Sequence, residues 1–256
     1  MTEPTPETVT EPVTEPTPGP TPGPGATPTL RELNKRRTRE AISHAATRLF
    51  IDQGFDRTTI AEVATAAGVA KMTVTNHFPR KEDLLLDLHE EIVGRLARAV
   101  AERAPGESAL AALRRDCLAG LDRHDPRLGF SGPAFARTVA DSPALVARIR
   151  ELHEQSEAAL AGALAEATRP TTTGTPPDAS PETPVSTAAG PPVDFESRVA
   201  AGLLAAVDRT VFTEVFRRLL AGDEAAAITA AVRPSAVRAF DRLEGALGTF
   251  AVRPGS

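Results

Sequence analysis

The hydrophobic residues of this 256-residue chain recur at spacings of three and four, which is the period of an α-helix. Runs that alternate between apolar and polar residues, which would predict strands, are missing from the sequence. The first helix carries an apolar stripe and is followed by Gly54, a typical stop signal. Its stripe consists of Ile42, Ala45, Ala46, Leu49 and Phe50. The pattern predicts an all-α protein.

Two short helices follow the first. Thr59 and Glu62 have the spacing of a capping box, so a helix is expected to begin there with Ile60, Val63 and Ala64 on its apolar face. The sequence AAGVA then interrupts the helical pattern. A third helix is predicted over about residues 70–78, because Pro79 follows it.

The segment KEDLLLDLHEEIVGRLARAV predicts a long fourth helix that starts next to Lys81, with Leu85, Leu88, Ile92 and Leu96 in line. Further helices are predicted around residues 109–123, 132–140, 143–168, 195–221 and 224–247. Pro234 is expected to kink or split the last of these.

The predicted helix 195–221 is apolar on more than one side, which packing against its own core alone does not require. Its apolar positions include Val199, Leu203, Val211 and Val215. The following predicted helix is also rich in apolar residues, among them Phe240. Both helices are therefore expected to pack against a second copy of the chain.

Two tracts are rich in Pro and Thr and nearly free of large apolar residues. Residues 1–30 predict a disordered tail, and residues 170–193 predict a disordered loop, since neither can bury enough apolar surface to offset its conformational entropy.

Charge is distributed unevenly along the chain. The whole chain carries a net charge of −5, but residues 35–81 contain nine Lys or Arg against four Asp or Glu, a local net charge of +5. This basic segment is a candidate contact for a polyanion. The single cysteine, Cys117, cannot form an internal disulfide. No signal peptide or membrane-spanning run is present, so a cytoplasmic location is expected.

A short helix, a turn containing Gly68 and a second short helix form the pattern of a helix-turn-helix, whose second helix can enter the major groove of DNA. On a helical wheel Val74 points to the core together with Ala70 and Phe78. The opposite face is polar and free of acidic residues. The predicted DNA-binding residues are Arg36, Arg37, Thr58, Thr59, Lys71, Met72, Thr73, Thr75, Asn76, His77 and Lys81.

All of these residues except Arg36 lie within RTREAISHAATRLFIDQGFDRTTIAEVATAAGVAKMTVTNHFPRKEDLL, from Arg37 to Leu85, which resembles the DNA-binding segment of the tetracycline-repressor-like (TetR) transcriptional regulators. The shared features are the A…LF…GF first helix, the TT…A…AGV second helix and turn, and the HFP.KE.L join. Ala70, Thr75 and Arg80 depart from the pattern usual in that family, where a capping Ser, a Tyr and a small polar residue are common.

The resemblance implies a ligand-responsive repressor that binds a palindromic operator as a homodimer. It assigns residues 31–83 to a helix-turn-helix DNA-binding domain and residues 84–250 to a helical domain for ligand binding and dimerisation. Binding of the small molecule would tilt the fourth helix and change the separation of the two DNA-binding domains in the dimer. Candidate pocket residues are Cys117, Phe135, Arg137, Asp208 and Phe212.

No phosphate-binding loop, nucleophile elbow, paired carboxylates or metal-ligand spacing is found, so neither an enzyme nor a cofactor is expected. Two alternatives stay open at this point. One is a helical binding or interaction protein that keeps the module without operator function, and the other is a helical enzyme. The sequence does not identify the small-molecule effector.

Overall fold

The computed structural model describes residues 29–169 and 193–255. Apart from their last residues, the predicted Pro/Thr-rich tail and loop lie outside these ranges. Within them the chain forms α-helices and two short 3₁₀ turns and no strand, which confirms the predicted all-α class. The helices are α1 Leu30–Gln53, α2 Ile60–Ala67, α3 Lys71–His77, α4 His89–Ala101, α5 Ala109–Asp122, α6 Pro133–Ala140, α7 Pro143–Ala167, α8 Phe195–Ala221 and α9 Ala225–Leu247.

The predicted boundaries of α2, α3 and α5 to α9 agree with the structure to within one or two residues. The fourth helix is the exception. A 3₁₀ turn, Glu82–Leu84, and an irregular stretch take the place of its predicted first two turns, so α4 begins at His89. Leu84, Leu85 and Leu86 are all buried. Three successive leucines cannot all point into the core from one face of an α-helix, and the irregular backbone allows it.

Pro234 does not split the last helix, because α9 continues through it from Ala225 to Leu247. A proline in a helix interior removes one backbone hydrogen bond and crowds the carbonyl of the preceding turn. Packing of the buried residues on either side of it, Val232 and Ala236, compensates for that loss.

Residues 29–38, at the start of α1, belong to a separate structural unit. Thr29 and Glu32 bond reciprocally there. The backbone N–H of Thr29 donates to Glu32 Oε2 at 2.7 Å, and the N–H of Glu32 donates to Thr29 Oγ1 at 3.3 Å. This arrangement caps two of the donors that the first turn of a helix leaves unpaired.

Residues 39–255 form a second unit with two hydrophobic cores. The first core joins the inner faces of α1, α2 and α3 to Val139, Leu145 and Leu152 of α6 and α7. It therefore includes side chains from both sides of the domain boundary predicted near residue 83. The second core lies among α4, α5, α7, α8 and α9, and it contains Cys117 and Phe240.

A buried ionic cluster ties three helices of the second core together. The Arg95 guanidinium of α4 donates to the carboxylates of Asp116 on α5 and Asp208 on α8, and only 5% of the Arg95 side chain is exposed. Burial opposes the charge of this guanidinium, but the two carboxylates outweigh it and raise the pKa of Arg95. Asp208, a predicted pocket residue, is thus a partner of this cluster.

Candidate nucleic-acid interface and internal cavity

The connection between α2 and α3 is fixed by local hydrogen bonds. Thr59 Oγ1 accepts from the backbone N–H of Glu62 at 3.2 Å, while Glu62 Oε2 accepts from the N–H of Thr59 at 2.7 Å. The predicted capping box is confirmed. At the other end of α2, Gly68 has φ +67°, a left-handed conformation that favours glycine, and its N–H closes the last turn of the helix.

The inner face of α3 is held in the first core. Val74 is fully buried and Phe78 is 1% exposed, as the helical wheel predicts, whereas Ala70 is exposed at the N-cap and does not share their side. Arg39 of α1 holds the end of α3, because its Nη1 donates to the backbone carbonyl of His77 at 2.9 Å. Its guanidinium also lies 4.3 Å from the centroid of the Phe78 ring. These contacts fix the orientation of α3.

The outer face of α3 is open to solvent. Lys71, Met72, Thr75 and Asn76 are exposed, while Thr73 and His77 are half-buried. Thr75 Oγ1 donates to the carbonyl of Met72 at 3.0 Å, so that its lone pairs stay available to a partner. The Asn76 amide makes no side-chain hydrogen bond within the described residues. A donor, acceptors, methyl groups and one ammonium are therefore presented together, without a carboxylate in the helix.

Thr58 is not on this surface, contrary to the prediction. Only 1% of it is exposed, and its hydroxyl donates to the carbonyls of Gly54 at 3.0 Å and Leu49 at 3.4 Å. It closes the turn between α1 and α2. Thr59 is exposed, but its hydroxyl already serves the capping box. Of the two adjacent threonines, Thr58 thus stabilises the turn before α2 and Thr59 caps α2.

Lys81 is also placed differently from the prediction, which puts it at a helix start facing phosphate. Its Nζ donates to the carbonyl of Phe55 at 2.6 Å and lies 4.3 Å from the centroid of the Phe55 ring. Partial burial lowers the pKa of Lys81, although the carboxylates of Asp56, Glu82 and Glu62 oppose this. Lys81 therefore ties the join after α3 to the turn after α1.

The neighbouring Arg80 pairs with a carboxylate of α7. Its Nη1 lies 2.7 Å from Glu151 Oε2. Next to this pair, Arg148 Nε donates to Asp83 Oδ1 at 2.9 Å, and both side chains are 6% exposed. The segment that follows α3 is thereby fastened to α7 by one exposed and one buried ion pair.

Arg36 and Arg37, the two remaining predicted contacts, lie in the first part of α1, and both are exposed. Nothing in this part of the helix removes their guanidinium groups from solvent. Their role stays a prediction.

An internal cavity of about 270 Å³ lies in the second unit. Its wall is built from the segment before α4, from α4, α6, α7 and α8, and from the loop around Gly129. The lining residues are Leu85, Leu86, Asp87, Leu88, Ile92, Pro126, Gly129, Phe130, Ser131, Gly132, Phe135, Ile149, Leu152, His153, Phe212 and Phe216. Such an apolar cavity with few polar groups is typical of a small-molecule site.

Gly129 lets the loop approach α8 closely. Its φ is +94°, and a Cβ at this position would lie 3.1 Å from the carbonyl oxygen of Phe212 and 3.4 Å from its ring. Both the left-handed conformation and the close approach disfavour a side chain there. This loop brings Phe130 and Ser131 to the cavity.

Three polar side chains line the cavity: Asp87, Ser131 and His153. Asp87 Oδ2 accepts a hydrogen bond from Ser43 Oγ at 2.5 Å. His153 packs edge-on against Phe212, with ring centroids 4.9 Å apart. Burial lowers the pKa of His153, although Asp208 opposes this shift, which favours the neutral imidazole near neutral pH.

The predicted pocket residues divide into two groups. Phe135 and Phe212 line the cavity. Cys117, Arg137 and Asp208 do not. Cys117 is 1% exposed inside the second core, and Asp208 is engaged by Arg95. Arg137 is exposed and lies beside a separate surface cleft near Asp56. The prediction that these three residues line the cavity therefore differs from the structure.

Two polar residues of the cavity wall, His153 and Asp87, are not among those predicted from the sequence. His153 follows Leu152 and lies four residues after Ile149, so it shares the apolar face of α7, and this spacing is a signal that the sequence contains. Asp87 gives no comparable signal, because its position depends on the irregular backbone before α4.

None of the helices in the described ranges combines the length and the apolar character that crossing a membrane requires.

One segment of the chain matches a known protein family. Residues 42–88 match the sequence model of the bacterial regulatory proteins, tetR family. The matched segment runs from the buried face of α1 through α2 and α3 to the turn before α4.

Two relatives are similar over longer stretches. The HTH-type transcriptional regulator TcmR of Streptomyces glaucescens is 34% identical over 143 residues, which are 54% of this chain and 63% of TcmR. The HTH-type transcriptional repressor AcnR of Corynebacterium diphtheriae is 34% identical over 94 residues, or 37% of this chain and 46% of AcnR. The chain thus spans less than two thirds of either relative.

Among solved structures, GusR of Salmonella enterica aligns over 83% of this chain and 96% of its own, with 20% identity and a TM-score of 0.47. The family match, over residues 42–88, includes the helix-turn-helix of α2 and α3. Through this segment, the chain is similar to the tetR family of bacterial regulatory proteins.

Proposed function

We propose that this protein is a transcriptional regulator that binds DNA through α3 and releases it when a small molecule occupies the internal cavity. The observation that carries the proposal is the outer face of α3. It presents Lys71, Thr75 and Asn76 to solvent while Val74 and Phe78 fix its inner face in the core. A rigidly held helix with such a face fits the major groove.

The distribution of charge along the chain also supports DNA binding. The net charge of +5 in residues 35–81, within a chain of net charge −5, concentrates attraction for phosphates on the DNA-binding segment. We propose that Lys71 contacts a phosphate and that Arg36 and Arg37 add further phosphate contacts. Asn76 and Thr75 are proposed to contact base edges. Lys81 positions this segment through Phe55 and is not proposed as a phosphate contact.

We further propose that the protein acts as a homodimer, with residues 84–250 providing both the cavity and the dimer contact. Phe195, Val199 and Leu203 are spaced four residues apart on α8, and each is exposed by more than 40%. Next to them, an apolar groove of about 510 Å³ runs between α8 and α9. A second copy would cover both. Of the two residues that the sequence assigns to this contact, Val211 is 5% exposed and lines the groove, whereas Phe240 is buried in the protomer's own core.

The two symmetry-related DNA-binding domains of a dimer require two half-sites about one helical turn of DNA apart, or a multiple of that spacing. A palindromic site is therefore the expected target. Repression follows where such a site overlaps a promoter, and the relative AcnR is named a repressor.

The experiment that tests this proposal is selection of binding sites from a random DNA library with the purified full chain. The expected result is enrichment of one palindromic sequence. A protein with Asn76→Ala serves as the matched variant and should enrich a less defined sequence. Absence of enrichment would contradict the proposal and would favour a binding protein without operator function.

A further inference from the structure

The cavity restricts what its ligand can be. Four phenylalanine rings line it, from the loop (Phe130), α6 (Phe135) and α8 (Phe212 and Phe216). Phe212 and Phe216 lie one turn apart with their rings nearly parallel, at an interplanar angle of 11° and a centroid separation of 6.0 Å. Two nearly parallel rings on this side of the cavity favour a planar ring system as ligand, because offset stacking on aromatic faces is favourable.

The cavity also disfavours a charged ligand. Among the described residues no Lys or Arg lines it, so an anion would lack a counter-ion and would lie close to the Asp87 carboxylate. The charge of Asp87 is partly compensated as well, since Ser43 Oγ donates to it and Arg39 Nη2 donates to its backbone carbonyl at 3.3 Å. A cation would gain little from it. Burying an unpaired charge is far more costly than burying a neutral ring.

One polar group is suited to orient such a ligand. His153 is half-buried in the cavity wall, and its ring is held by the edge-on contact with Phe212. A neutral imidazole offers one donor and one acceptor. The other two polar side chains of the wall already have partners, since Asp87 accepts from Ser43 and Ser131 Oγ donates to the carbonyl of Gly129 at 3.5 Å. His153 therefore favours ligands that satisfy its hydrogen bonds.

On these grounds we propose that the ligand is an uncharged planar aromatic molecule of about two or three rings with a hydroxyl or carbonyl group that hydrogen-bonds His153, a size set by the cavity volume of about 270 Å³. This ligand would occupy the cavity of the proposed regulator, and its regulatory role rests on that proposed function. Binding itself does not depend on DNA.

The test uses four probes of one ring size, measured by isothermal titration calorimetry on the full chain without DNA: 2-naphthol, naphthalene, 2-naphthoate and 2-naphthylmethylammonium. We expect 2-naphthol to bind about two- to tenfold more tightly than naphthalene, the range that one net hydrogen bond provides. Both charged probes should bind at least about tenfold more weakly than 2-naphthol, because their charge would be buried without a partner.

His153→Phe keeps the ring and removes both hydrogen-bonding atoms. It should abolish the preference for 2-naphthol and leave naphthalene binding nearly unchanged. His153→Gln, which keeps a donor and an acceptor, should retain part of the preference and guards against a loss caused by misfolding. His44→Gln on the exposed side of α1 is the control and should bind all probes as the natural protein does.

Equal or tighter binding of either charged probe overturns the proposal. So does a preference for 2-naphthol that persists in His153→Phe, or the failure of all four probes to bind. The DNA selection described above is a separate measurement. Loss of sequence selectivity there with intact 2-naphthol binding would reject the proposed function alone, and the reverse result would reject the ligand class alone.

Discussion

The Ser43 hydroxyl of α1 donates to the carboxylate of Asp87 at 2.5 Å, and Asp87 lines the internal cavity. One turn earlier on the same helix, Arg39 donates both to the backbone carbonyl of Asp87 at 3.3 Å and to that of His77, the last residue of α3, at 2.9 Å. A single stretch of α1 thus holds the cavity wall and the end of α3 together. Movement of the wall would be passed to α3 through these bonds.

Ser43→Ala should therefore weaken the communication between ligand and DNA without removing either binding reaction. It deletes one hydrogen bond, worth about 1 kcal/mol, out of a coupling free energy of typically 1–3 kcal/mol. The measurement is DNA affinity with and without saturating 2-naphthol. Thr213→Ala, which removes a hydroxyl bonded to its own helix on α8, is the control and should leave the coupling intact. Unchanged coupling in Ser43→Ala would show that the signal takes another route.

The buried pair of Asp83 and Arg148 should contribute strongly to stability. Asp83→Asn leaves the Arg148 guanidinium buried with a weakened set of partners, and such a loss typically costs about 3–5 kcal/mol. Urea unfolding should show a much lower midpoint. The exposed pair of Glu166 and Arg169 is the matched control, so Glu166→Gln should change the free energy of unfolding by less than about 0.5 kcal/mol. A small effect of Asp83→Asn would mean that Glu151, the other carboxylate on Arg148, is a sufficient partner.

Dimerisation should depend on the exposed apolar residues of α8. Leu203→Glu places a charge on the proposed contact and should yield a monomer in light scattering at micromolar concentration, together with weaker binding to a palindromic site. Val252→Glu, at a similarly exposed apolar position near the end of the chain, should remain a dimer. A natural protein that is itself monomeric under these conditions would contradict the proposed assembly.

Cys117 should be inert towards thiol reagents in the folded protein. Burial, the first cause, and the nearby carboxylate of Asp208 raise the pKa of its thiol from 9.0 to about 12, so the reactive thiolate is suppressed at neutral and mildly alkaline pH. Alkylation by iodoacetamide at pH 8 should be very slow in buffer and fast in urea. Rapid alkylation of the folded protein would show that the thiol is accessible and ionised, and would contradict its burial in the second core.

Local signals in the sequence predict most of the helices and the turn between α2 and α3. The capping box of Thr59 and Glu62 and the inward direction of Val74 depend on residues three or four apart, so a single sequence contains them. Thr58 and Lys81 were placed wrongly because their partners lie on other elements. Thr58 bonds to Leu49, and Lys81 bonds to Phe55, 26 residues away.

The cavity was the least predictable part for the same reason. Its lining comes from five separate regions of the chain, and Asp87 reaches it only because the three leucines before it interrupt the start of α4. Phe135 and Phe212 were found because large aromatic residues dominate cores and pockets alike. Cys117 and Asp208 have equally apolar surroundings in the sequence, yet one fills the core and the other pairs with Arg95.

The proposed function requires that the outer face of α3 contacts base edges of DNA. Its most direct test is fluorescence anisotropy with the selected palindromic duplex and a scrambled duplex, over a series of salt concentrations. Asn76→Ala should lose about 1–3 kcal/mol per half-site on the selected duplex and little on the scrambled one, with an unchanged salt slope. Lys71→Ala should weaken both duplexes alike and lower the salt slope by about one unit per subunit. If Asn76→Ala weakens both duplexes equally, α3 lies along the DNA backbone rather than in the groove, and Asn76 does not contact a base edge.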